Sequence, residues 1–113
     1  MQLEIIGSKI YTEQDFHNQI SKIFSIQDYY GKNLDVLWDL LSTNVERPIT
    51  LVWKDAMFSK NQLKSIFIEI VKVLERVKKQ DEDYGFEEKF NYILEYANPN
   101  YITYTGLKLP GAN

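Results

Sequence analysis

The segment Pro48-Ile49-Thr50-Leu51-Val52-Trp53 decides the fold of this chain of 113 residues. It is a compact run of β-branched, aliphatic and aromatic side chains with polar residues on both flanks. Runs of this kind are typical of strands that are buried on both faces, as in parallel sheets covered by helices. The segment therefore predicts a strand of an α/β protein.

Two other segments are predicted to form strands. Leu3, Ile5 and Gly7 follow a period of two, and the pattern ends at the glycine before a polar turn. Residues 90–96 fit either a helical spacing or the period of a strand. Their tyrosine content and the stop at Asn98-Pro99 favour the strand.

The segments between these strands have the spacing of amphipathic helices. Thr12 is a predicted N-cap followed by the acids Glu13 and Asp15, and apolar residues then recur on one helix face. Similar patterns predict helices over residues 34–42 and 66–79, a shorter helix within 55–63, and an acidic, solvated loop at 81–83. Strands joined through helices form parallel sheets. We therefore predict a single α/β domain with three parallel strands, about four helices and the order β-α-α-β-α-α-β.

The composition excludes several classes of function. The 13 Lys+Arg against 16 Asp+Glu give a net charge of −3, whereas nucleic-acid binding needs a clustered excess of cations. The chain has no cysteine and one histidine, His17, which falls at the edge of the buried face of the first helix. A metal site or a nucleophilic centre that uses cysteine or histidine would therefore lack almost all the residues it needs. We therefore expect no enzyme activity, no metal and no cofactor.

The sequence carries no sign of a membrane segment or a leader. No apolar run reaches the roughly 20 residues of a membrane helix, and the first residues lack the pattern of a signal peptide. The expected location is the cytoplasm. Residues 98–113 are expected to follow a domain at 1–97 as a C-terminal extension, in which the alternating segment 101–105 forms either an edge strand or a loose tail.

Residues 29–39 contain acids at positions where they destabilise a helix, which points to a binding surface. Asp35 and Asp39 lie one turn apart on the same helix face, where like charges cost about 0.2 to 0.5 kcal/mol. Asp39 also falls at the negative end of the helix dipole, with no Lys or Arg from 40 to 46. A solvated polar stripe would explain these two acids alone, but aromatic anchors beside fixed charges are typical of interfaces. The aromatic residues that border the acids are Tyr29, Tyr30 and Trp38.

The run Tyr29-Tyr30-Gly31-Lys32-Asn33-Leu34-Asp35-Val36-Leu37-Trp38-Asp39 resembles the signature of the barstar family, the intracellular inhibitors of barnase-type ribonucleases. The resemblance extends to three further segments, whose order and spacing match that family: residues 15–17, 46–53 and 66–79. The resemblance covers residues 1–80 well and the last strand loosely. It implies a three-stranded parallel sheet flanked by helices, in agreement with the periodicity.

The resemblance also implies that the helix after Gly31 plugs the active site of a ribonuclease. Asp39 would occupy the phosphate-binding position and accept hydrogen bonds from arginines and a catalytic histidine of the enzyme. Asp35 would meet the cationic side of the cleft, and Tyr29 would pack against a catalytic histidine. The partner-binding residues implied in this way are Tyr29, Tyr30, Asn33, Asp35, Trp38 and Asp39.

Three departures make this face less negative than the family pattern. Lys32 and Arg76 stand where the family has acids, and Thr43-Asn44 replaces an expected tryptophan. An alternative function is therefore a barstar-fold interaction module that binds another protein with a basic cleft. A hydrolase using Asp35 and Asp39 is disfavoured, because two carboxylates on one helix turn are too alike in environment to act as acid and base. We expect a monomer that binds another protein.

Overall fold

The computed structural model describes residues 1–96 and contains the three predicted strands. The strands are β1 (Gln2–Ile6), β2 (Ile49–Lys54) and β3 (Phe90–Leu94). The helices are α1 (Glu13–Ile23), α2 (Leu34–Thr43), α3 (Ala56–Leu63) and α4 (Ser65–Asp83), and a 3₁₀ turn at Gly7–Lys9 follows β1. The strands form one parallel sheet in the order β1-β2-β3. The predicted α/β class, sheet and element order are confirmed.

β2 is the central strand and runs through the hydrophobic core. The indole ring of Trp53 is fully buried and packs between Phe16 of α1 and Phe67 of α4, with 5.0 Å between ring centroids in each pair. Its Nε1–H donates to Ser59 Oγ at 2.9 Å, and that hydroxyl donates to the Gly7 carbonyl oxygen at 2.9 Å. The large ring is therefore buried without leaving its one polar atom unpaired.

Side-chain caps begin both α1, where the sequence predicts one at Thr12, and α2. Thr12 Oγ1 accepts a hydrogen bond from Asp15 N–H at 3.1 Å, and Asp15 Oδ2 accepts one from Thr12 N–H at 3.1 Å. Asn33 Oδ1 accepts from Val36 N–H at 2.9 Å. Because a cap fixes the residue at which a helix begins, it also fixes which residues face the core.

The acidic segment 81–83 forms the last turn of α4, so the prediction of a solvated loop is wrong. Asp81 is fully buried there. Its carboxylate accepts hydrogen bonds from Arg47 Nε at 2.9 Å, from Arg47 Nη2 at 3.2 Å and from Phe90 N–H at 2.7 Å. A buried charge is tolerated when it is paired and hydrogen-bonded in this way. Asp81 thereby joins the end of α4 to the start of β3 and to the segment before β2.

The predicted C-terminal extension, residues 98–113, lies outside the described residues, and so does the alternating segment 101–105. The division into a domain at 1–97 and an extension stays a prediction. Within residues 1–96, no helix is long and apolar enough to cross a membrane.

Candidate protein-binding face

α2 places its acidic residues on the side opposite the core. Leu37, Leu40 and Leu41 are buried, whereas Asp35 and Asp39 are exposed. The cap at the start of α2 fixes the first turn, and the buried leucines fix the rotation of the helix. The two carboxylates therefore stand on a rigid element, which is how a binding site keeps its geometry.

Among residues 1–96, the carboxylates of Asp35 and Asp39 form no ion pair. No basic residue lies in the last turn of α2. Thr43 Oγ1 and Asn44 Nδ2 instead donate to the Asp39 carbonyl oxygen, at 2.8 and 3.2 Å. An acid at this end of the helix dipole slightly destabilises α2. Within the described part of the chain, no ion pair holds the carboxylate of Asp39.

The two adjacent tyrosines before α2 have different environments. The side chain of Tyr29 is 78% exposed, whereas that of Tyr30 is 6% exposed and belongs to the core. Their backbone N–H groups both donate to the Ile26 carbonyl oxygen, at 3.1 and 3.0 Å, which makes a tight turn. Tyr29 is thus available for direct contact, and Tyr30 can act on a partner only through the position of this loop.

A chain of hydrogen bonds, buried at Tyr30 and His17 and partly exposed at Glu13, holds the loop in place. His17 is fully buried; its Nδ1 lies 2.7 Å from the Tyr30 hydroxyl and its Nε2 lies 3.0 Å from Glu13 Oε2. An ionised Glu13 can only accept, so a neutral His17 ring carries its proton on Nε2 and accepts the Tyr30 O–H on Nδ1. Burial, and then the negative charge of Glu13, raises the pKa of the Tyr30 hydroxyl and keeps it protonated. The chain Tyr30–His17–Glu13 ties the loop to α1.

Replacing Tyr30 with phenylalanine is expected to lower the free energy of unfolding by about 1 to 3 kcal/mol, because the buried His17 Nδ1 would be left without a hydrogen-bond donor. Urea unfolding followed by tryptophan fluorescence would measure this change. Tyr29→Phe is the matched control, since it removes the same hydroxyl from an exposed ring and should stay within about 0.5 kcal/mol of the wild type. Equal stability of the two variants would contradict the anchoring role of the buried chain.

Trp38 is half-buried where α2 meets α4, and a cation covers its ring. The guanidinium carbon of Arg76, an exposed residue of α4, lies 4.2 Å from the centre of the ring. A cation at this distance is attracted by the negative face of the indole. Sequence reasoning missed the contact, because the two residues lie on different helices and no local spacing connects them.

The structure brings five of the six predicted contact residues to one surface. They lie on the loop before α2 and on its outer side, and Tyr30 is the exception. Asn33 is exposed there, and since its Oδ1 caps α2, its amide N–H groups are the part left for a partner. We call this surface the α2 face; it consists of Tyr29, Asn33, Asp35, Trp38 and Asp39.

Within residues 1–96, three parallel strands and four α-helices form an α/β domain whose helix α2 carries exposed acids. A family model described as Barstar (barnase inhibitor) matches residues 1–93, and the chain belongs to the barstar family. The resemblance predicted from residues 29–39 is confirmed. The chain is also similar to a protein of Bacillus subtilis (strain 168) named "Putative ribonuclease inhibitor YrdF", with 34% identity over 79 residues, which are 70% of this chain and 81% of that protein. Both comparisons support an inhibitor rather than an enzyme.

Proposed function

We propose that this protein inhibits a guanyl-specific, barnase-type ribonuclease by inserting the α2 face into the active site of the enzyme. The observation that carries the proposal is the pair of exposed carboxylates, Asp35 and Asp39, which stand on a capped and core-anchored helix without an ion-pair partner among residues 1–96. Membership of the barstar family supports it. In this proposal the free inhibitor is a cytoplasmic monomer that protects the cell producing the enzyme.

Asp39 takes the place of the RNA phosphate in this proposal. A ribonuclease binds an anionic substrate, so its cleft presents cationic groups and N–H donors at the phosphate position. A carboxylate accepts charge-assisted hydrogen bonds from the same donors. Since Asp39 has no ion pair among residues 1–96, its carboxylate can turn to the enzyme without first breaking an ion pair in that part of the inhibitor. Asp35, one turn earlier, meets the cationic wall of the cleft.

Tyr29 supplies an aromatic anchor for a catalytic histidine of the enzyme. Its ring is exposed, and the loop that carries it is already fixed by the buried hydrogen bonds of Tyr30. Little conformational freedom is therefore lost when the ring packs against the enzyme. Tyr30 acts as a positioning residue in this scheme, while Asn33 contributes amide donors and Trp38 contributes apolar contact.

Inhibition is expected to be competitive and to weaken with salt. The purified protein should raise the KM of a guanyl-specific, barnase-type ribonuclease for a dinucleotide substrate and leave kcat unchanged, because inhibitor and substrate share one cleft. Attraction between surface charges is screened by ions, so the inhibition constant should rise about tenfold or more between roughly 0.05 and 0.5 M NaCl. Binding that leaves dinucleotide cleavage unchanged would contradict the occlusion of the active site.

Lys32 and Arg76 favour a second candidate function, because they add positive charge beside the α2 face. In that case the protein is a barstar-fold interaction module whose partner is not a barnase-type ribonuclease. The kinetic assay separates the two candidates. Full ribonuclease activity in a large excess of the protein would reject the ribonuclease as its target and favour the module.

A further inference from the structure

Trp38 lies at the border between the core and the acidic side of α2. At about 100° per residue, Asp35 and Asp39 lie roughly 60° and 100° round the helix from Trp38, both in the same direction. In the other direction Leu37 and Leu41 are buried. A partner that covers both carboxylates therefore also reaches the outer edge of the indole ring.

Among residues 1–96, Arg76 contacts the indole ring at this border and forms no ion pair with an acid. Its guanidinium carbon lies 4.2 Å from the centre of the Trp38 ring, and the ion pairs within residues 1–96 do not include it. The lysines one turn away on either side are paired, Lys72 with Glu69 at 3.3 Å and Lys79 with Asp83 at 3.4 Å. Within the described residues, the edge of the acidic surface thus carries a cation that is oriented by the indole ring and has no ion pair.

This cation changes which cleft the surface fits. A cleft lined entirely by cationic side chains would attract Asp35 and Asp39 but repel Arg76. Repulsion between like charges is an effective way to exclude unsuitable partners. A guanidinium that is stacked on an indole keeps its planar fork of N–H donors, which matches the two oxygens of a carboxylate. The surface is therefore complementary to a basic cleft with an acid on the part of its rim that faces α4.

We propose that Arg76, oriented by Trp38, is a specificity-determining residue that selects ribonucleases with a carboxylate on the cleft rim facing α4. The inference rests on the proposed function and names the kind of ribonuclease that fits best. It assigns opposite roles to neighbouring charges, since Asp35 and Asp39 provide attraction to any such cleft and Arg76 discriminates between enzymes.

The test uses a guanyl-specific, barnase-type ribonuclease with a cationic rim, together with variants in which single rim lysines or arginines are replaced by glutamate. Dissociation constants are measured for the wild-type inhibitor and for Arg76→Glu against every form of the enzyme. We expect the wild-type inhibitor to bind one glutamate variant of the enzyme at least about tenfold more tightly than it binds the parent enzyme. Arg76→Glu should reverse that order.

Lys72→Glu is the matched control, because it makes the same change of charge one turn away and should keep the wild-type order of affinities. Arg76→Lys keeps the charge but loses the planar stack, so it should retain only part of the preference. The inference is overturned if Arg76→Glu changes the affinity for every enzyme form by the same factor as Lys72→Glu does, while Asp39→Ala still weakens binding as the proposed function requires. If no enzyme form binds any variant, the proposed function fails, and the inference fails with it.

Discussion

Asp39→Ala is expected to weaken inhibition of the ribonuclease by a factor of roughly 30 to several thousand. This corresponds to about 2 to 5 kcal/mol, the range typical of truncating one partner of a buried charge pair in protein complexes; complexes of barstar-family inhibitors include larger values. The effect is large because the cationic groups at the phosphate position of the enzyme would be buried without a counter-charge. Inhibition constants for dinucleotide cleavage at low salt would measure it.

The same substitution should leave the free inhibitor as stable as the wild type or slightly more stable. Asp39 is exposed in the last turn of α2, has no ion pair within residues 1–96 and stands at the negative end of the helix dipole. Removing its charge takes away an unfavourable interaction of about 0.3 to 1 kcal/mol. Thermal unfolding would therefore separate a binding defect from a folding defect.

Glu88→Ala is the matched control for Asp39→Ala. It removes one negative charge from an exposed position outside α2, so it changes the net charge of the inhibitor by the same amount. If the two variants weakened binding equally, general attraction between the proteins would explain binding, and Asp39 would not occupy the phosphate position. Asp39→Asn, which keeps the shape and loses the charge, should fall close to Asp39→Ala.

The parts of the fold that depend on local sequence were predictable. The run 49–53 has the composition of a buried strand, and the structure makes it the central strand of the sheet. Thr12 and Asn33 begin their helices because their side chains bond to backbone N–H groups three residues later. The acidic stripe of α2 was also predictable, because a helical period fixes which residues share a face.

Contacts between distant segments could not be predicted in the same way. Asp81 follows an amphipathic pattern and stands beside other acids, which by itself indicates a solvated end. Its burial is possible only because Arg47 and the Phe90 N–H, which belong to distant segments, donate hydrogen bonds to its carboxylate. The inward position of Tyr30 likewise depends on His17, which belongs to another helix. Local spacing indicates which residues are polar or apolar, but not which distant group will pair with them.

Asp81→Ala is the substitution expected to cost the most stability. It would leave the guanidinium of Arg47, whose side chain is 12% exposed, without a counter-charge and the Phe90 N–H without an acceptor. Breaking a buried pair in this way costs about 3 to 5 kcal/mol, a large part of the roughly 5 to 15 kcal/mol that stabilises a typical domain. Thermal unfolding should show a decrease in Tm of about 12 °C or more.

Asp83→Ala tests whether this cost comes from the buried pair or from acidity at the end of α4. Asp83 lies two residues further along the same turn, where its exposed carboxylate is 3.4 Å from Lys79 Nζ, and its removal should cost less than about 1 kcal/mol. A similar decrease in Tm for both variants would contradict the role given to Asp81. Because Arg76 lies on the same helix, a displaced end of α4 should also alter the stack on Trp38. Asp81→Asn retains the shape and part of the hydrogen bonding, so its stability should fall between those of the wild type and Asp81→Ala.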